Sequence, residues 1–397
     1  MATLADALRQ HGAAYLASHS LSTPQAKAWR GIKACRTAAL GGQRMACDRC
    51  EHTHWQYHSC RNRHCPTCGA RAKDAWLQGR LADVLNVPYA HLVFTLPHCL
   101  NALYGAHPRW LINTLFACTA QTLTEFAASP RWMGVAGGKP AFSLVLHTWS
   151  QELVTHLHVH AVMACGVLGK DEQWHRPVRK PEFLFPVRAL SKVFRGKFMA
   201  ALAAAQRDGS INDDPQRAPE AWAQRQRALY KHDWVVYAKT PLGGAAQTLE
   251  YLSRYTHRTA ISNERIKAVT EREVVFSARA NTNGGKRVVR LDGAEFVRRF
   301  LQHILPTGIK RIRHYGVLAS ACKGDKLARA RAALNMPAAN AQAQESAAEF
   351  LKSVARIDAQ QCPSCKVGRL WVVETLPGQA RLSEPGATML PQARAPP

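Results

Sequence analysis

Residues 156–166 have the sequence HLHVHAVMACG, in which His156, His158 and His160 alternate with apolar residues. Alternation with a period of two predicts a β-strand, and it places the three imidazoles on one face of that strand. Two imidazoles two residues apart can chelate one divalent ion and leave coordination positions open for chemistry. The simpler interpretation is the polar face of a half-exposed strand, but three histidines on one face favour the metal site.

Strands and helices are predicted on both sides of this stretch. The other strand-like runs lie at His91–Leu96, Phe142–His147, Trp234–Ala238, Val274–Arg279 and Arg287–Leu291, and helical patterns lie at Pro108–Ala127, Leu190–Gln206 and Gly244–His257. An Asn-Gly-Gly turn between the last two runs predicts a hairpin. Asp292 precedes Glu295 by three residues, which predicts the start of a further helix. The sequence therefore predicts a domain of mixed helices and strands.

The chain has 397 residues, a formal net charge of +26, 47% hydrophobic residues and twelve cysteines. This composition predicts a folded chain with nucleic acid as the first candidate partner and an anionic membrane surface as the second. No apolar run approaches the roughly 20 residues of a spanning helix. Asp6 and Arg9 occupy positions where a secretory signal would be apolar. We therefore expect a cytoplasmic protein with no membrane partner, whose cysteines are metal ligands or free thiols.

Three parts are expected along the chain. We expect a helical and zinc-binding module that contacts DNA at residues 1–75 and the mixed domain at residues 76–336. Residues 337–397 are expected to form a flexible basic tail with a lone Cys-x-x-Cys. Residues 261–340 hold 16 Lys and Arg against six Asp and Glu. Such a run is either a solvated face or a groove that binds a phosphate backbone.

The cysteines are concentrated between residues 35 and 68. Cys47 and Cys50, and after a 14-residue gap Cys65 and Cys68, form two Cys-x-x-Cys pairs. Two such pairs predict one tetrahedral, structural Zn²⁺ site, and buried free thiols are the alternative. The nearby candidates for a second ion or a different set of four ligands are Cys35, Cys60 and His64. The later pair, Cys362 and Cys365, is either half a zinc site or two inert thiols.

Tyr251 and Tyr255 lie four residues apart, so a helix would present both on one face. Gln247, Arg254 and Arg258 fall beside them on the same helical wheel. Packing in the core is an equally good interpretation of the two rings. A tyrosine hydroxyl, with a free pKa of about 10, becomes a nucleophile when cations or a metal-polarised phosphate lie next to it.

Eight stretches share the motifs of one known family and occur in that family's order. They are CRTAALGG (35–42), SCRNRHCPTC (59–68), HLVFTLP (91–97), LHTWSQ (146–151), HLHVHAVMACG (156–166), WVVYAKTPLGG (234–244), YLSRYTHRTAISN (251–263) and LPTGIKRIRHYG (305–316). The chain therefore resembles the two-tyrosine HUH transposases of the insertion-sequence ninety-one type, which carry an N-terminal transposase zinc-binding domain.

The resemblance implies an α+β fold, with an HUH palm-like antiparallel sheet, flanking helices and a small helical zinc-binding module before it. It makes His158 and His160 the ligands of a catalytic Mg²⁺ or Mn²⁺, and Tyr251 and Tyr255 the nucleophiles. The implied activity is rolling-circle transposition, in which single-stranded DNA at element ends is nicked and rejoined through a 5′-phosphotyrosine. The partners would be element ends and target DNA, with host replication proteins as further candidates.

The resemblance leaves some ligands and contacts open. His156, Gln151 and Gln247 are candidate further metal ligands, and the residues expected to contact DNA are Arg254, Arg258, Arg311 and Arg313. A replication initiator or relaxase-like nuclease would use the same chemistry on other DNA ends. A zinc-dependent DNA-binding protein without activity is the second alternative. Tyrosine recombination without metal is a third, and it gives the histidine strand no role.

Overall fold

The structure, a computed structural model, describes residues 2–69, 73, 76, 79–80, 83–178, 184–211, 218–231, 234–242, 259–280, 285–338, 358 and 360–378. The helices in these ranges are α1 (Leu4–Leu16), α2 (Thr23–Ala34), α3 (Asn101–Ala106), α4 (Pro108–Ala127), α5 (Pro130–Met133), α6 (Val187–Asp208), α7 (Pro219–Lys231), α8 (Gly293–Leu301) and α9 (Lys323–Ala333). The strands are β1 (Gly42–Cys47), β2 (Thr53–Tyr57), β3 (Tyr89–Thr95), β4 (Lys139–Trp149), β5 (Thr155–Leu168), β6 (Trp174–His175), β7 (Val236–Leu242), β8 (Ile266–Val269), β9 (Glu273–Arg279), β10 (Lys286–Asp292), β11 (Ile312–Gly316) and β12 (Leu370–Leu376).

The histidine stretch forms the middle strand of the largest sheet. That sheet has the strand order β11-β4-β5-β3-β7, and β6 pairs with β5 beside this path. Its strands pair antiparallel throughout. The strand predicted from the alternation in residues 156–166 is confirmed and extends over Thr155–Leu168. The predicted α+β class, an antiparallel sheet with flanking helices, is confirmed.

The two faces of β5 have different surroundings. Val159 and Ala161 point into the main hydrophobic core, where α4 and α6 pack against the sheet. His158 and His160 lie on the opposite face, as the period of two requires. Further along β5 that opposite face is covered by a second cluster, to which α9 contributes Leu327. Apolar packing therefore fixes the strand while its first half presents imidazoles.

The sequence-predicted elements agree with the structure to within a few residues. The helix Pro108–Ala127 has the predicted bounds, and the helix predicted at residues 190–206 extends to Val187–Asp208. The strand predicted from Trp234 begins instead at Val236. Trp234 is buried in the core, where its indole Nε1 donates to the carbonyl of Leu229 at 3.0 Å. The helix predicted at residues 244–257 lies outside the described residues.

Helices α1 and α2 pack against the later part of the chain. Leu8 of α1 and Trp29 of α2 share a core with Phe296 and Phe300 of α8 and with Trp149 at the end of β4. Asp292 caps α8 as predicted, because its Oδ1 accepts from the backbone N–H groups of Ala294 and Glu295 at 2.9 and 3.2 Å. The first predicted part of the chain therefore shares a core with the second.

The prediction of a wholly flexible C-terminal tail is wrong for residues 360–378. Within them β12 pairs antiparallel with β1, so that a small sheet with the order β12-β1-β2 joins the two ends of the described chain. The alternation that would reveal a half-buried strand is missing, because β12 is exposed along most of its length. Among the described residues, no helix has the length and apolar character needed to cross a bilayer.

Candidate metal centre

Three imidazoles meet on the polar face of the central sheet. His158 and His160 lie on β5, and His147 lies on β4 opposite His158 in the antiparallel register. One nitrogen from each ring lies within 4.8 Å of the others. His147 and His160 are buried, and His158 is half-buried. The predicted pair of histidines is thus accompanied by a third imidazole that was not among the predicted ligands. We call these residues the histidine trio.

The spacing of the trio suits a bound ion. Nε2 of His160 lies 3.1 Å from Nδ1 of His147. One ion can bind two nitrogens at this separation, because bonds from a metal ion to imidazole nitrogen are about 2.1 Å long. Nδ1 of His158 donates to the carbonyl of His156 at 2.9 Å. A carbonyl only accepts, so the proton of His158 sits on Nδ1, and Nε2 is the nitrogen that carries the lone pair a metal would bind.

A fourth histidine supports the trio from β3. His91 is buried, and its Nε2 lies 2.9 Å from Nδ1 of His160. Burial, with smaller effects from the nearby Lys239 and His158, lowers the pKa of His91 to about 3. His91 is therefore neutral at pH 7 and can accept the Nδ1–H of His160. This hydrogen bond leaves Nε2 of His160 facing the other two imidazoles of the trio. Sequence reasoning missed His91, although it begins a predicted strand.

Of the other predicted ligands, His156 and Gln151 are among the described residues. His156 is outside the trio, and its ring stacks on that of His98 with centroids 5.2 Å apart. Burial lowers the pKa of His156, and the neighbouring His98 adds to this effect. Gln151 contributes its backbone carbonyl to Arg265, and a ligand role for its side chain stays a prediction. His147 lies in the motif LHTWSQ, at a position that alternates with apolar residues as His158 does.

Next to the trio lies a buried layer from β4 and α8. The ring of His147 stacks on Trp149 with centroids 4.8 Å apart. His303, which follows α8, is buried with Nδ1 3.2 Å from Thr148 Oγ1 and Nε2 3.0 Å from the carbonyl of Leu153. Burial lowers the pKa of His303 to about 4, so this residue is a neutral part of the packing.

The predicted nucleophiles Tyr251 and Tyr255 lie outside the described residues, as do Gln247, Arg254 and Arg258. The chain on either side of them is described. β7 ends at Leu242, at the strand position opposite Tyr89. The chain is described again from Thr259, and Ile261 packs in the same core as Trp149, two residues beyond His147 on β4. The described residues that flank this segment therefore lie on the outer strand of the central sheet, at Leu242, and in the core that contains Trp149, at Ile261.

The prediction that Cys47, Cys50, Cys65 and Cys68 share one ion is wrong in its grouping. The structure places their sulfurs in two quartets, Cys35 with Cys60, Cys65 and Cys68, and Cys47 with Cys50, Cys362 and Cys365. We call these the first and the second cysteine quartet. The sulfurs within each quartet lie within 4.8 Å of one another. The pairs were recognised correctly, but the β1–β2 hairpin carries Cys47 and Cys50 to partners far along the chain.

His64, a candidate zinc ligand, is buried next to the first quartet but is not part of it. Its Nε2 accepts from Nε of Arg63 at 3.3 Å. Burial lowers the pKa of His64 to about 3, and Arg63 and Arg311 lower it in the same direction. His64 is therefore a neutral acceptor beside two guanidinium groups.

The two described arginines of the predicted DNA contact have protein partners. Arg313 donates to Oδ1 of Asn113 at 2.6 Å, and its guanidinium lies 4.1 Å from the ring centroid of Phe116 on α4. Burial lowers the pKa of Arg311 to about 10, with Arg63 as the second cause, so Arg311 keeps its charge at pH 7. Their contacts with DNA stay predictions.

Comparison with known proteins finds sequence relatives along nearly the whole chain. The family described as "Transposase zinc-binding domain" matches residues 7–96, and the family described as "Putative transposase" matches residues 142–326. The chain is 40% identical to "Putative transposase y4qJ" of Sinorhizobium fredii (strain NBRC 101917 / NGR234), over 94% of this chain and 96% of the relative. It is 26% identical to "Transposase for insertion sequence element IS801" of Pseudomonas savastanoi pv. phaseolicola, over 84% and 79% of the two chains.

The solved structures that resemble part of the chain carry the name of a conjugative relaxase, TrwC. One, in complex with mutant OriT DNA, is 24% identical and covers 29% of this chain and 44% of the relaxase chain, with a TM-score of 0.24. Another, titled as a metal-free structure with OriT DNA, is 21% identical and covers 44% and 67% of the two chains, with a TM-score of 0.25. Both alignments cover less than half of this chain.

Proposed function

Because this chain belongs to the transposase family of the insertion-sequence ninety-one type, we propose that it nicks and rejoins single-stranded DNA at the ends of its element. The nucleophiles are Tyr251 and Tyr255, and the intermediate is a 5′-phosphotyrosine of rolling-circle transposition. The DNA ends and the target DNA are the substrates. Both lie in the bacterial cytoplasm, where thiolates also stay reduced.

The observation that carries the proposal is the convergence of His147, His158 and His160 on one polar face of the central sheet. Packing of the opposite face against α4 and α6 holds the strands, so the imidazoles are positioned before any ligand binds. His91 adds a hydrogen bond to His160 from the next strand. A preorganised set of nitrogen donors supports metal-assisted cleavage.

The donor set indicates which ion the trio holds. Imidazole nitrogens suit transition-metal ions better than they suit Mg²⁺, which prefers oxygen ligands and keeps several waters. Of the two ions expected from the sequence, we therefore propose that His147, His158 and His160 bind Mn²⁺ more tightly than Mg²⁺. A bound divalent ion would polarise the scissile phosphate as a Lewis acid and leave positions open for its oxygens.

The tyrosines carry the covalent step. The hydroxyl oxygen of one tyrosine attacks phosphorus, a new P–O bond forms to that oxygen, and the bond from phosphorus to the 3′ oxygen breaks. The tyrosine loses its proton, and the departing 3′ oxygen gains one. The 3′-hydroxyl of a second strand can reverse this exchange without an external energy source. A second tyrosine permits another cleavage while the first link persists.

The first cysteine quartet supports a structural zinc site. The sulfurs of Cys60 and Cys68 lie 3.7 Å apart, the spacing expected around a tetrahedral Zn²⁺ with bonds of about 2.3 Å. Four thiolates leave no open position, so we assign the ion no part in the chemistry. Cys35 and Cys65 are buried in the core shared with α1 and α8. The ion would thus fix residues 60–68, with their arginines, next to the catalytic sheet.

A cleavage assay on single-stranded DNA from the element ends tests this function. Purified protein with Mg²⁺, Mn²⁺ or a chelator is separated on a denaturing gel beside His158→Ala, Tyr251→Phe, Tyr255→Phe and the double tyrosine variant. We expect a metal-dependent band of protein-linked DNA that the histidine variant and the double tyrosine variant lose. Tyr230→Phe and His175→Ala are matched controls, since Tyr230 is exposed on α7 and His175 pairs with Asp171.

Two other outcomes would contradict the proposal. DNA binding without a covalent band on either end would leave a zinc-dependent DNA-binding protein. A covalent band on an origin sequence but on neither element end would favour a replication initiator or relaxase-like nuclease.

A further inference from the structure

We propose that Cys362 and Cys365 complete a second tetrathiolate Zn²⁺ site with Cys47 and Cys50, and that this ion fastens residues 360–378 to the β1–β2 hairpin. The zinc-binding domain matched in the comparisons ends at residue 96, so it contains only half of this quartet. The site is independent of the proposed DNA cleavage, since four thiolates leave no position for a substrate.

The distances between the sulfurs support a tetrahedral ion. Sγ of Cys47 lies 3.7 Å from Sγ of Cys365, and Sγ of Cys50 lies 3.7 Å from Sγ of Cys362. With bonds of about 2.3 Å, tetrahedral zinc holds its sulfurs about 3.8 Å apart. A disulfide needs about 2.05 Å between its sulfurs, so these contacts are not disulfide bonds. The same 3.7 Å separates Cys60 and Cys68 in the first quartet.

Each half of the second quartet is a tight turn that points backbone N–H groups at sulfur. Arg49 N–H donates to Sγ of Cys47 at 3.3 Å, and Gly368 N–H donates to Sγ of Cys365 at 3.2 Å. Such bonds stabilise the thiolate form that a metal requires. Two similar turns therefore face each other across the proposed ion.

Gly368 shows how closely the two turns approach. A Cβ on Gly368 would lie 2.3 Å from Sγ of Cys47 and 2.8 Å from Cβ of Arg49. Cys362 is fully buried by this approach, and its N–H donates to the carbonyl of Gly368 at 2.8 Å. The C-terminal turn thus fits against the hairpin only because glycine occupies position 368.

The contacts that continue from the turn into the strand are polar. Arg369 N–H donates to Oδ1 of Asp48 at 2.7 Å, and Asp48 N–H donates to the carbonyl of Arg369 at 3.0 Å. Arg44 pairs with Glu374 at 2.8 Å, but both side chains are substantially exposed. Exposed ion pairs contribute little to stability.

Apolar burial along β12 is also small. Trp371 and Val372 are 58% and 43% exposed. A small sheet with so little buried apolar surface needs another source of stability. We infer that the zinc ion supplies it, by joining cysteines that are more than 300 residues apart.

Counting zinc in the purified full-length protein tests the second site without reference to DNA cleavage. We expect the Cys362→Ser/Cys365→Ser variant to contain one zinc ion fewer per chain than the wild type. Cys60→Ser/Cys68→Ser should also lose one, and the matched control Cys99→Ser/Cys322→Ser, which removes two thiols outside both quartets, should lose none. Equal zinc content in the wild type and in the Cys362→Ser/Cys365→Ser variant would overturn the proposal.

A second measurement on wild-type protein covers the case in which the cysteine variants do not fold. Trypsin can cleave after Lys366 and Arg369, which lie in and beside the C-terminal turn. We expect a zinc chelator to accelerate cleavage at these two residues at least tenfold relative to Lys170, in the turn between β5 and β6. Equal cleavage rates with and without the chelator would contradict the role of the ion as a fastener.

Discussion

The histidine trio and each of the two cysteine quartets bring metal-binding atoms close together, but their residues are brought together in different ways. His147 and His160 are 13 residues apart on paired strands, whereas Cys47 and Cys365 are 318 residues apart. The strands of the trio are fixed by a large apolar core on their other face. The second quartet connects segments with little apolar burial. The trio is therefore a site prepared by the fold, whereas the second quartet is a site that its metal completes.

Removal of zinc should produce the largest difference between these regions. Structural zinc contributes on the order of 10 kcal/mol of binding free energy per ion to small metal-dependent modules. We therefore expect a strong zinc chelator to abolish amide-exchange protection in β1, β2 and β12. The protection of β5 should persist, because the main core that holds this strand contains no cysteine of either quartet. Equal loss of protection in β1 and β5, measured by hydrogen exchange with mass spectrometry, would contradict the comparison.

His160→Ala should have the opposite pattern, a loss of activity without a loss of zinc. Removing one of three nitrogens weakens the bound ion that would stabilise charge on the phosphate, and we expect cleavage to fall on the order of 10³-fold. The measurement is the rate of DNA cleavage at fixed Mn²⁺, with the zinc content and the thermal midpoint as controls. A variant with near wild-type cleavage would rule out His160 as a ligand.

The packing beside the trio gives a prediction on pH. Burial holds the pKa of His303 at about 4, below about 6.5 in the unfolded chain, so between these values the unfolded state binds more protons. Folding stability should therefore decrease as the pH falls from 6.5 to 4, by about 3 kcal/mol from this residue.

Urea unfolding of wild type and His303→Gln at several pH values measures the contribution of His303 to the pH dependence of stability. The difference between the two proteins cancels the loss of zinc in acid, which both share. As the pH falls, the free energy of unfolding of the wild type should decrease more than that of His303→Gln. A difference that stays constant from pH 7 to pH 4 would show that His303 does not cause the effect.

His91→Ala should have the smallest effect. The hydrogen bond from His160 to His91 orients a ligand, and loss of such a contact typically lowers metal affinity 10–100-fold. We expect a higher Mn²⁺ requirement for cleavage, with the maximal rate recovered at saturating Mn²⁺. His91→Gln, which keeps a hydrogen-bond acceptor, should lie between wild type and His91→Ala. If excess Mn²⁺ does not restore the rate, His91 does more than position His160.

Local properties of a strand could be predicted from the sequence, whereas contacts between distant segments could not. The alternation in residues 156–166 predicted β5 and the common face of its histidines, because both are local properties of a strand. His147 was missed because the register between β4 and β5, which brings it opposite His158, is set by packing across the sheet. The cysteine pairs were predicted from their spacing, yet the pairing of Cys47 with Cys365 depends on a strand that has no apolar pattern.

We expect a tyrosine of this chain to become linked to DNA in a reaction that depends on the trio. Trypsin separates the two candidates, because Tyr251 lies in the peptide 240–254 and Tyr255 lies in the peptide 255–258. After cleavage of an element end with Mn²⁺ and digestion of the DNA, mass spectrometry should find a nucleotide on one or both peptides. The adduct should be missing from His158→Ala. Protein-linked DNA on neither peptide, or an adduct that His158→Ala forms equally well, would contradict the account.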